Sequence, residues 1–215
     1  MDCKETVSAV IDAGSQGISV KLDVTDTISC QRAAADTINN FGRIEILVNN
    51  AALYGGLKGG RFENLDSDEW NRCMDVNVTG QWNCCKAVVS AMRDGGGGSI
   101  INISSLAAVY GLPYALHYAV SKAAVIGLTR SLARELGKDW IRVNAIAPSL
   151  VLTEGTKEFF GTKLDKSKEV IAKSQSLQRN LMTGDIAGSV VYLSSDASKF
   201  VTGQTIMIDG GTVFL

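Results

Sequence analysis

Tyr118 and Lys122 are the residues of this chain whose types and spacing best suit acid–base chemistry. They lie four positions apart in a segment with helical periodicity, so both side chains project from nearly the same face. A free tyrosine has a pKa of about 10 and is a poor base at neutral pH. A lysine cation one turn away favours the phenolate and is expected to lower that pKa. Tyr118 is thereby predicted to exchange a proton with an alcohol or ketone oxygen.

Ser105 supplies the second group that such a reaction needs. It follows a predicted strand at residues 99–103 and precedes Tyr118 by thirteen residues. Its hydroxyl could donate a hydrogen bond to the same substrate oxygen while negative charge develops there. A Tyr-x-x-x-Lys pair by itself is more often an ordinary helix surface, so the serine at a strand end is what favours catalysis.

Periodicity predicts strands that alternate with helices along the chain. Apolar runs typical of strands occupy residues 18–24, 44–48, 99–103, 140–147 and 204–208. Helical patterns occupy residues 25–41, 66–92, 113–136 and 185–194. This alternation indicates one α/β domain over residues 1–215, with a doubly wound parallel sheet that binds ligands at the carboxyl ends of its strands. Functional residues are therefore expected just after Val24, Val48, Ile103 and Ala147.

Composition excludes several classes of partner. The chain has 215 residues, a formal net charge of −1 and no acidic or basic block, so nothing favours binding to nucleic acid or an anionic membrane. No apolar run approaches the ~20 residues that cross a bilayer. Residues 1–10 lack the layout of a signal peptide, and a cytoplasmic location is expected.

The cysteines give no sign of a metal or redox site. Their number is five, the chain has one histidine, and a zinc site is implausible, so no metal site is predicted. Free thiols in a reducing compartment are expected, with Cys84 and Cys85 in the core. The predicted buried stripe of the helix at 66–92 consists of Trp70, Cys73, Trp82, Cys85 and Val89.

Six segments together resemble the motifs of the short-chain dehydrogenase/reductase family. They occur in the family's order and spacing, and the resemblance extends from about residue 6 to residue 212. The segments are NNAA at 49–52, DVNVTG at 75–80, NISS at 102–105, YAVSK at 118–122, Pro148 with Thr153, and DGG at 209–211.

The resemblance implies a role for each of four catalytic residues. Tyr118 would be the acid/base, and Lys122 would lower its pKa and hydrogen-bond the nicotinamide ribose. Ser105 would hold the substrate oxygen, and Asn77 would anchor a water of the proton relay. The implied activity is interconversion of a secondary alcohol and a ketone, with a small-molecule substrate and a homodimeric or homotetrameric enzyme.

The resemblance also implies a nicotinamide cofactor and the residues that contact it. Asp23 and Val24 would flank the adenine, Asn50 and Ala51 would line the cofactor, and Thr153 would meet the nicotinamide carboxamide. The cofactor is NAD or NADP, and the choice between them is not readable because the deciding segment is absent from the sequence.

Several of these residues also have plain structural interpretations. Asn77 could sit at a helix kink and satisfy backbone groups. Asp23 could cap the helix that begins near residue 25, and Thr153 could cap a following helix. Asn50 could hold a turn. His117 is expected at the surface or at the edge of the substrate, because its neighbour Tyr118 points about 100° away on the helix.

The sequence does not distinguish between several classes of substrate. Tyr54, Tyr110, Leu112 and Tyr114 either wall a pocket or make ordinary loop contacts. Residues 149–183 resemble the family's substrate-covering loop and carry apolar residues: Leu150, Leu152, Phe159, Phe160 and Leu164. Sugars, ketoacyl thioesters, steroids and aryl ketones all remain possible.

The sequence departs from the family pattern in three places. Ala52 and Ser149 replace glycines. Family members also begin with a strand, a T-G-x-x-x-G-x-G turn, a helix and a second strand, and none of the 22 glycines here forms that turn. The predicted fold is therefore a Rossmann-like sheet that is N-terminally incomplete, without its first two strands and the helix between them. The strand at 18–24 then lacks a neighbour, and the strand at 44–48 becomes an apolar edge.

This departure leaves a second functional hypothesis. The chain could be a non-catalytic remnant that associates with intact subunits through the helices at 66–92 and 113–136. The enzyme hypothesis would instead require the missing turn, which in this family holds the pyrophosphate at a helix N-terminus.

We expect the 215-residue chain to bind NADH or NADPH weakly or not at all, because no glycine-rich turn is available for the pyrophosphate. A fluorescence titration measures this directly. Micromolar binding of either cofactor would contradict the expectation.

Overall fold

A computed structural model describes residues 3–214 and shows a parallel sheet at the centre of the chain. Within these residues the sheet has four strands in the order β1-β2-β3-β4, every neighbouring pair parallel. The strands are β1 (Ile46–Asn49), β2 (Gly98–Ile103), β3 (Ile141–Pro148) and β4 (Thr205–Ile208).

The connections between the strands contain the helices. They are α1 (Lys4–Asp12), α2 (Thr27–Phe41), α3 (Ser67–Met74), α4 (Gly80–Asp94), α5 (Ala107–Tyr110), α6 (Leu116–Leu136), α7 (Glu154–Phe160), α8 (Leu164–Ser174) and α9 (Thr183–Ser194). A π-helical turn at Asp75–Thr79 joins α3 to α4. The predicted helices and the last four predicted strands begin and end within three residues of their expected bounds.

Two apolar clusters cover the two faces of the sheet. Successive side chains of a strand point to opposite faces, and Ile100 and Ile101 of β2 accordingly belong to different clusters. Ile100 packs with residues of α2, α4 and α6, including the fully buried Met92. Ile101 packs with Leu193 of α9. The doubly wound α/β architecture expected from the sequence is therefore confirmed.

The strand predicted at residues 18–24 is wrong. These residues form no ladder, because a strand needs a partner for its backbone groups and none pairs with them in the part of the chain that the structure describes. The segment is instead held against α4, where the Asn83 side-chain amide donates to the Val24 carbonyl at 3.0 Å. The cap of α2 is Asp26, whose carboxylate accepts from the Ile28 amide, and not Asp23.

The buried stripe predicted for the helix at 66–92 is wrong at Trp82. The side chain of Trp82 is 48% exposed, and the Lys86 ammonium lies 3.8 Å from its ring centroid. The buried residues of α4 include Gln81, Cys84, Cys85, Val88 and Met92. Position 82 is turned by about 100° around the helix from position 81. Cys84 and Cys85 lie in the core, as predicted, and burial raises the pKa of each thiol to about 12.

β1 is an edge strand with apolar side chains on both faces. Ile46 and Val48 are 46% and 39% exposed, and only β2 pairs with this strand among residues 3–214. None of the described helices is both long and apolar enough to cross a membrane.

We expect Ile46→Lys to reduce self-association of the chain, because a charge on an exposed edge strand opposes strand pairing between molecules. Light scattering at increasing protein concentration measures the effect, and the melting temperature should change little. Ile100→Lys is the matched control. It places a charge in the fully buried neighbouring strand and should unfold the protein. Equal scattering by the wild type and Ile46→Lys would contradict the prediction.

Candidate active site

A cavity of about 620 Å³ lies where the carboxyl ends of the central strands meet α6. Asn50 follows β1, Ser105 follows β2 and Ser149 follows β3, and all three line the cavity. Tyr118 and Lys122 reach it from α6. The fold thus brings together side chains that lie up to a hundred residues apart in the sequence, at the edge where parallel sheets bind ligands.

Lys122 is 2% exposed and is tied to the end of β2. Its ammonium donates to the Ile103 carbonyl at 2.8 Å. The Ser104 hydroxyl donates in turn to the Lys122 carbonyl at 2.8 Å. Because burial disfavours the charged form, the pKa of Lys122 is lowered to about 8. At neutral pH the side chain is still mostly cationic.

Tyr118 is half-buried between two other aromatic residues. Its ring centroid lies 6.2 Å from that of Tyr54 and 5.7 Å from that of Phe159. Burial of the phenol raises its pKa to about 12, and hydrogen bonding with the Ser105 side chain acts in the opposite direction. The lowered pKa expected for Tyr118 beside Lys122 is not found, because burial of the phenol dominates. Tyr118 is therefore a protonated phenol at neutral pH.

Asn77 lies in the π-helical turn and does not line the cavity. Its carbonyl oxygen accepts from the Leu53 amide at 2.7 Å, and its amide donates to the Leu53 carbonyl at 3.1 Å. The same amide donates to Ser121 Oγ at 3.0 Å, and Ser121 Oγ donates to the Tyr118 carbonyl at 2.8 Å. The interpretation of Asn77 as a residue that satisfies backbone groups is confirmed, and the amide also connects the turn to α6.

The predicted cofactor residues divide into two groups. Asn50 and Thr153 line the cavity, whereas Ala51 does not and its neighbour Ala52 does. Thr153 also caps α7, as its structural interpretation predicts, by accepting from the Thr156 amide at 3.3 Å.

Asp23 and Val24 lie outside this cavity. The exposed Asp23 carboxylate accepts from the hydroxyl and amide of Thr25, and these hydrogen bonds lower its pKa. Val24 packs against α4 so closely that a Cβ at Gly80 would be 2.6 Å from its Cγ2.

His117 is fully buried, so its expected place at the surface or substrate edge is wrong. Position 117 begins a series of buried residues on α6 that continues through Ser121, Val125 and Thr129 at intervals of four. This spacing is visible in the sequence and could have placed the side chain correctly. Neither ring nitrogen has a hydrogen-bond partner among residues 3–214.

Tyr54, Tyr110 and Leu112 line the cavity, whereas Tyr114 is 69% exposed and lies outside it. The Tyr54 hydroxyl lies 3.0 Å from Thr153 Oγ1. Its ring crosses the backbone of α7 so closely that a Cβ at Gly155 would be 2.5 Å from the hydroxyl oxygen. Only a glycine fits there without moving the tyrosine.

Residues 149–183 form α7, a 3₁₀ turn at Gly161–Lys163 and α8 in place of an irregular loop. Phe159 and Phe160 from α7 and Leu150 from the preceding segment line the cavity. Leu152 and Leu164 do not. Sequence patterns do not predict the contact between Phe159 and Tyr118, because nothing in the sequence indicates that α7 packs beside this part of α6.

Comparison with known proteins places the chain among oxidoreductases. The sequence model of the family described as enoyl-(acyl carrier protein) reductase matches residues 1–213. The chain is 33% identical over 212 residues to the 3-oxoacyl-(acyl-carrier-protein) reductase FabG of Staphylococcus aureus, which covers 97% of this chain and 83% of that protein. It is 39% identical over 198 residues to a 3-alpha-(or 20-beta)-hydroxysteroid dehydrogenase of Mycobacterium bovis, covering 90% and 70%.

Solved structures agree with the sequence relatives. An NAD+-bound xylitol dehydrogenase superposes with a TM-score of 0.89 and 30% identity over 97% of this chain and 84% of that one. A short-chain type dehydrogenase/reductase from Mycobacterium ulcerans superposes with a TM-score of 0.88 and 33% identity, over 97% and 76% of the two chains.

Replacing Lys122 by methionine is expected to change how stability depends on pH. Because the folded-state pKa is about 8 and the usual value is 10.5, the unfolded chain binds more protons between these values. Lys122 should therefore contribute stability that grows as the pH rises through that window, by on the order of 3 kcal/mol. The contribution is read as the difference between the wild type and the variant, because the buried thiols Cys84 and Cys85, whose raised pKa values act in the opposite direction, are common to both. Lys122→Met should lack this gain. Denaturant unfolding across the window measures it.

The matched control for this experiment is Lys199→Met, which replaces an exposed lysine and should keep the wild-type pH dependence. A wild type and a Lys122→Met variant with the same dependence on pH would show that the ammonium is not buried as described.

Proposed function

Because the chain belongs to the short-chain dehydrogenase/reductase family, we propose that it interconverts a ketone and a secondary alcohol with NAD or NADP as the hydride carrier. The observation that carries this proposal is the convergence of Ser105, Tyr118 and Lys122 on one cavity at the strand ends. The raised pKa of Tyr118 keeps the phenol protonated near neutral pH, which is the form that would donate a proton in the reductive direction.

Tyr118 would act as the general acid. Its protonated phenol donates the proton that the carbonyl oxygen takes up as it becomes an alcohol oxygen. In the reverse direction the phenolate accepts that proton, and this direction should gain as the pH rises because the pKa lies well above neutrality.

Ser105 would hold the substrate oxygen in place. Its Oγ accepts a hydrogen bond from the Ala107 amide at 3.2 Å, which fixes the oxygen beside the cavity. A hydroxyl that accepts one hydrogen bond keeps its own hydrogen, which Ser105 can direct to the Tyr118 side chain or to a bound carbonyl oxygen. That hydrogen would stabilise negative charge on the carbonyl oxygen before the proton arrives from Tyr118.

Lys122 would contribute charge and orientation. An ammonium group has three donors, and the Ile103 carbonyl takes one of them. The other donors would serve the hydroxyls of a bound ribose. A cation in this position would also stabilise negative charge that develops on the phenol or on the substrate oxygen.

The cavity fits the nicotinamide end of a dinucleotide. Its volume is about 620 Å³, and Asn50, Tyr118, Lys122 and Thr153 are the residues that would hold the ring and its ribose. When bound, the group supplies or accepts the hydride. No glycine-rich turn suited to a pyrophosphate lines this cavity within residues 3–214.

A second candidate function is association without catalysis. The exposed apolar edge of β1 favours it, because such an edge readily pairs with another chain. The partner would be an intact subunit of the same kind, joined through the helices predicted at residues 66–92 and 113–136. Turnover of any ketone by a form that contains the whole cofactor site would favour the enzyme over this alternative.

We expect Tyr118→Phe to abolish turnover while cofactor binding survives, since only the proton-donating oxygen is removed. The loss should be on the order of a hundredfold or more. The assay needs a form that binds cofactor, either this chain or one extended by the family's first strand, glycine-rich turn and second strand. Tyr114→Phe, an exposed tyrosine outside the cavity, is the matched control. Retained turnover in Tyr118→Phe would remove Tyr118 from its role.

A further inference from the structure

We infer that the cavity beside Tyr118 accepts an uncharged ring ketone or its secondary alcohol, with hydrocarbon around the reacting carbon. The inference rests on the proposed function for the position of the carbonyl. The features that carry it are the composition, hydrogen bonding and charge of the cavity wall.

Hydrocarbon forms most of the wall away from the reacting end. The residues come from four separate parts of the chain and share apolar side chains: Leu106, Leu112, Leu150, Val151, Phe159 and Ile171. Apolar surface that leaves water on binding stabilises the complex in proportion to the area covered. A substrate without polar substituents would obtain this stabilisation over most of its surface.

Three aromatic rings surround the reacting position. Tyr54, Tyr118 and Phe159, here called the aromatic cluster, have ring centroids 5.7 to 6.4 Å apart and mutual tilts of 47 to 54°. Rings at this separation and tilt pack favourably against other rings. A group attached to the carbonyl carbon would contact Phe159 directly, because that ring lies next to the phenol that reaches the carbonyl oxygen.

Five hydroxyl groups of the wall already have partners, whereas those of the exposed Tyr110 and Thr183 have none among residues 3–214. Thr156 donates to the Val151 carbonyl at 2.5 Å, Ser174 to the Ile171 carbonyl at 2.8 Å and Thr212 to the Asp209 carbonyl at 2.8 Å. Tyr54 and Thr153 bind each other at 3.0 Å. A sugar or polyol that lost its water against these five groups would find few free donors there, which is costly for each buried hydroxyl.

Charge excludes ionised substrates from the same space. Among residues 3–214 the lining contains no arginine, aspartate or glutamate, and its one lysine is Lys122, whose ammonium donates to the Ile103 carbonyl. A carboxylate or phosphate close to the reacting carbon would therefore be desolvated without a dedicated counterion. The volume of about 620 Å³ leaves room for one or two fused rings once the reactive ring of a hydride carrier is in place.

The test is calorimetric titration of the 215-residue chain, without cofactor, with the bicyclic ketone 2-decalone and with xylitol. We expect 2-decalone to bind at least about tenfold more tightly than xylitol. Phe159→Ala should weaken 2-decalone binding by about tenfold and binding of the smaller cyclopentanone by less than about threefold, because the second ring of 2-decalone covers more of Phe159 than cyclopentanone can.

Two further variants keep the result interpretable. Phe200→Ala removes a ring that is 97% exposed and outside the cavity, and it should leave both affinities unchanged. Phe159→Leu keeps an apolar side chain in α7 and replaces Phe159→Ala if the latter fails to fold. Its loss of affinity should be smaller, and again greater for 2-decalone than for cyclopentanone. Xylitol bound as tightly as 2-decalone, or equal losses for both ketones in the Phe159 variant, would overturn the inference.

The two proposals fail in different ways. Binding of 2-decalone that is lost in the Phe159 variant supports this inference even if the ketone is never reduced, a result that would count against the proposed function alone. Reduction of polyols with no measurable binding of 2-decalone would overturn this inference and leave the proposed function standing.

Discussion

A buried ammonium group fixes the geometry on which the site depends. Lys122 places its charge 2.8 Å from the Ile103 carbonyl at the end of β2, and Ser104 binds the Lys122 carbonyl from the same strand end. Removing a charge from water costs several kcal/mol unless close partners replace the water. The lysine can therefore remain buried only while α6 and β2 keep their relative position. Ser105 follows Ser104 in the chain, and Tyr118 lies one helical turn before Lys122 on α6. Both side chains are therefore held in place by the same contact between α6 and β2.

Buried amides extend the same constraint across the sheet. The Asn49 amide of β1 donates to Asn102 of β2 at 2.9 Å, and the Asn102 amide donates to Thr129 of α6 at 2.9 Å. Asn77 joins the π-helical turn to Ser121, one turn along α6 from His117. Each of these groups is buried, and a buried amide that loses its partner is costly. Buried polar contacts thus position α6 at two heights, one at Ser121 and Lys122 and the other at Thr129, about two turns further along.

Local sequence signals predict most of this architecture. The period of the apolar residues identifies β1 to β4 and the long helices, and the alternation of the two types predicts a parallel sheet with its site at the strand ends. The segment at residues 18–24 has an equally clear strand pattern and forms no strand, because pairing depends on a neighbour and not on the segment itself. The pKa of Tyr118 is beyond such signals for a similar reason. The direction of its shift is decided by burial of the phenol, and sequence patterns do not show that Tyr54 and Phe159 lie beside Tyr118.

The close approach of Tyr54 to Gly155 has a consequence for natural variation. The hydroxyl oxygen occupies the space that any larger residue at position 155 would need, and the two positions are 101 apart in the numbering. A side chain can appear at 155 only if the residue at 54 becomes smaller in the same lineage or the helix withdraws from the strand ends. Among descendants of this chain the two positions should therefore change together, because a larger residue at 155 requires a smaller one at 54. Each such exchange would change the shape of the cavity beside Thr153.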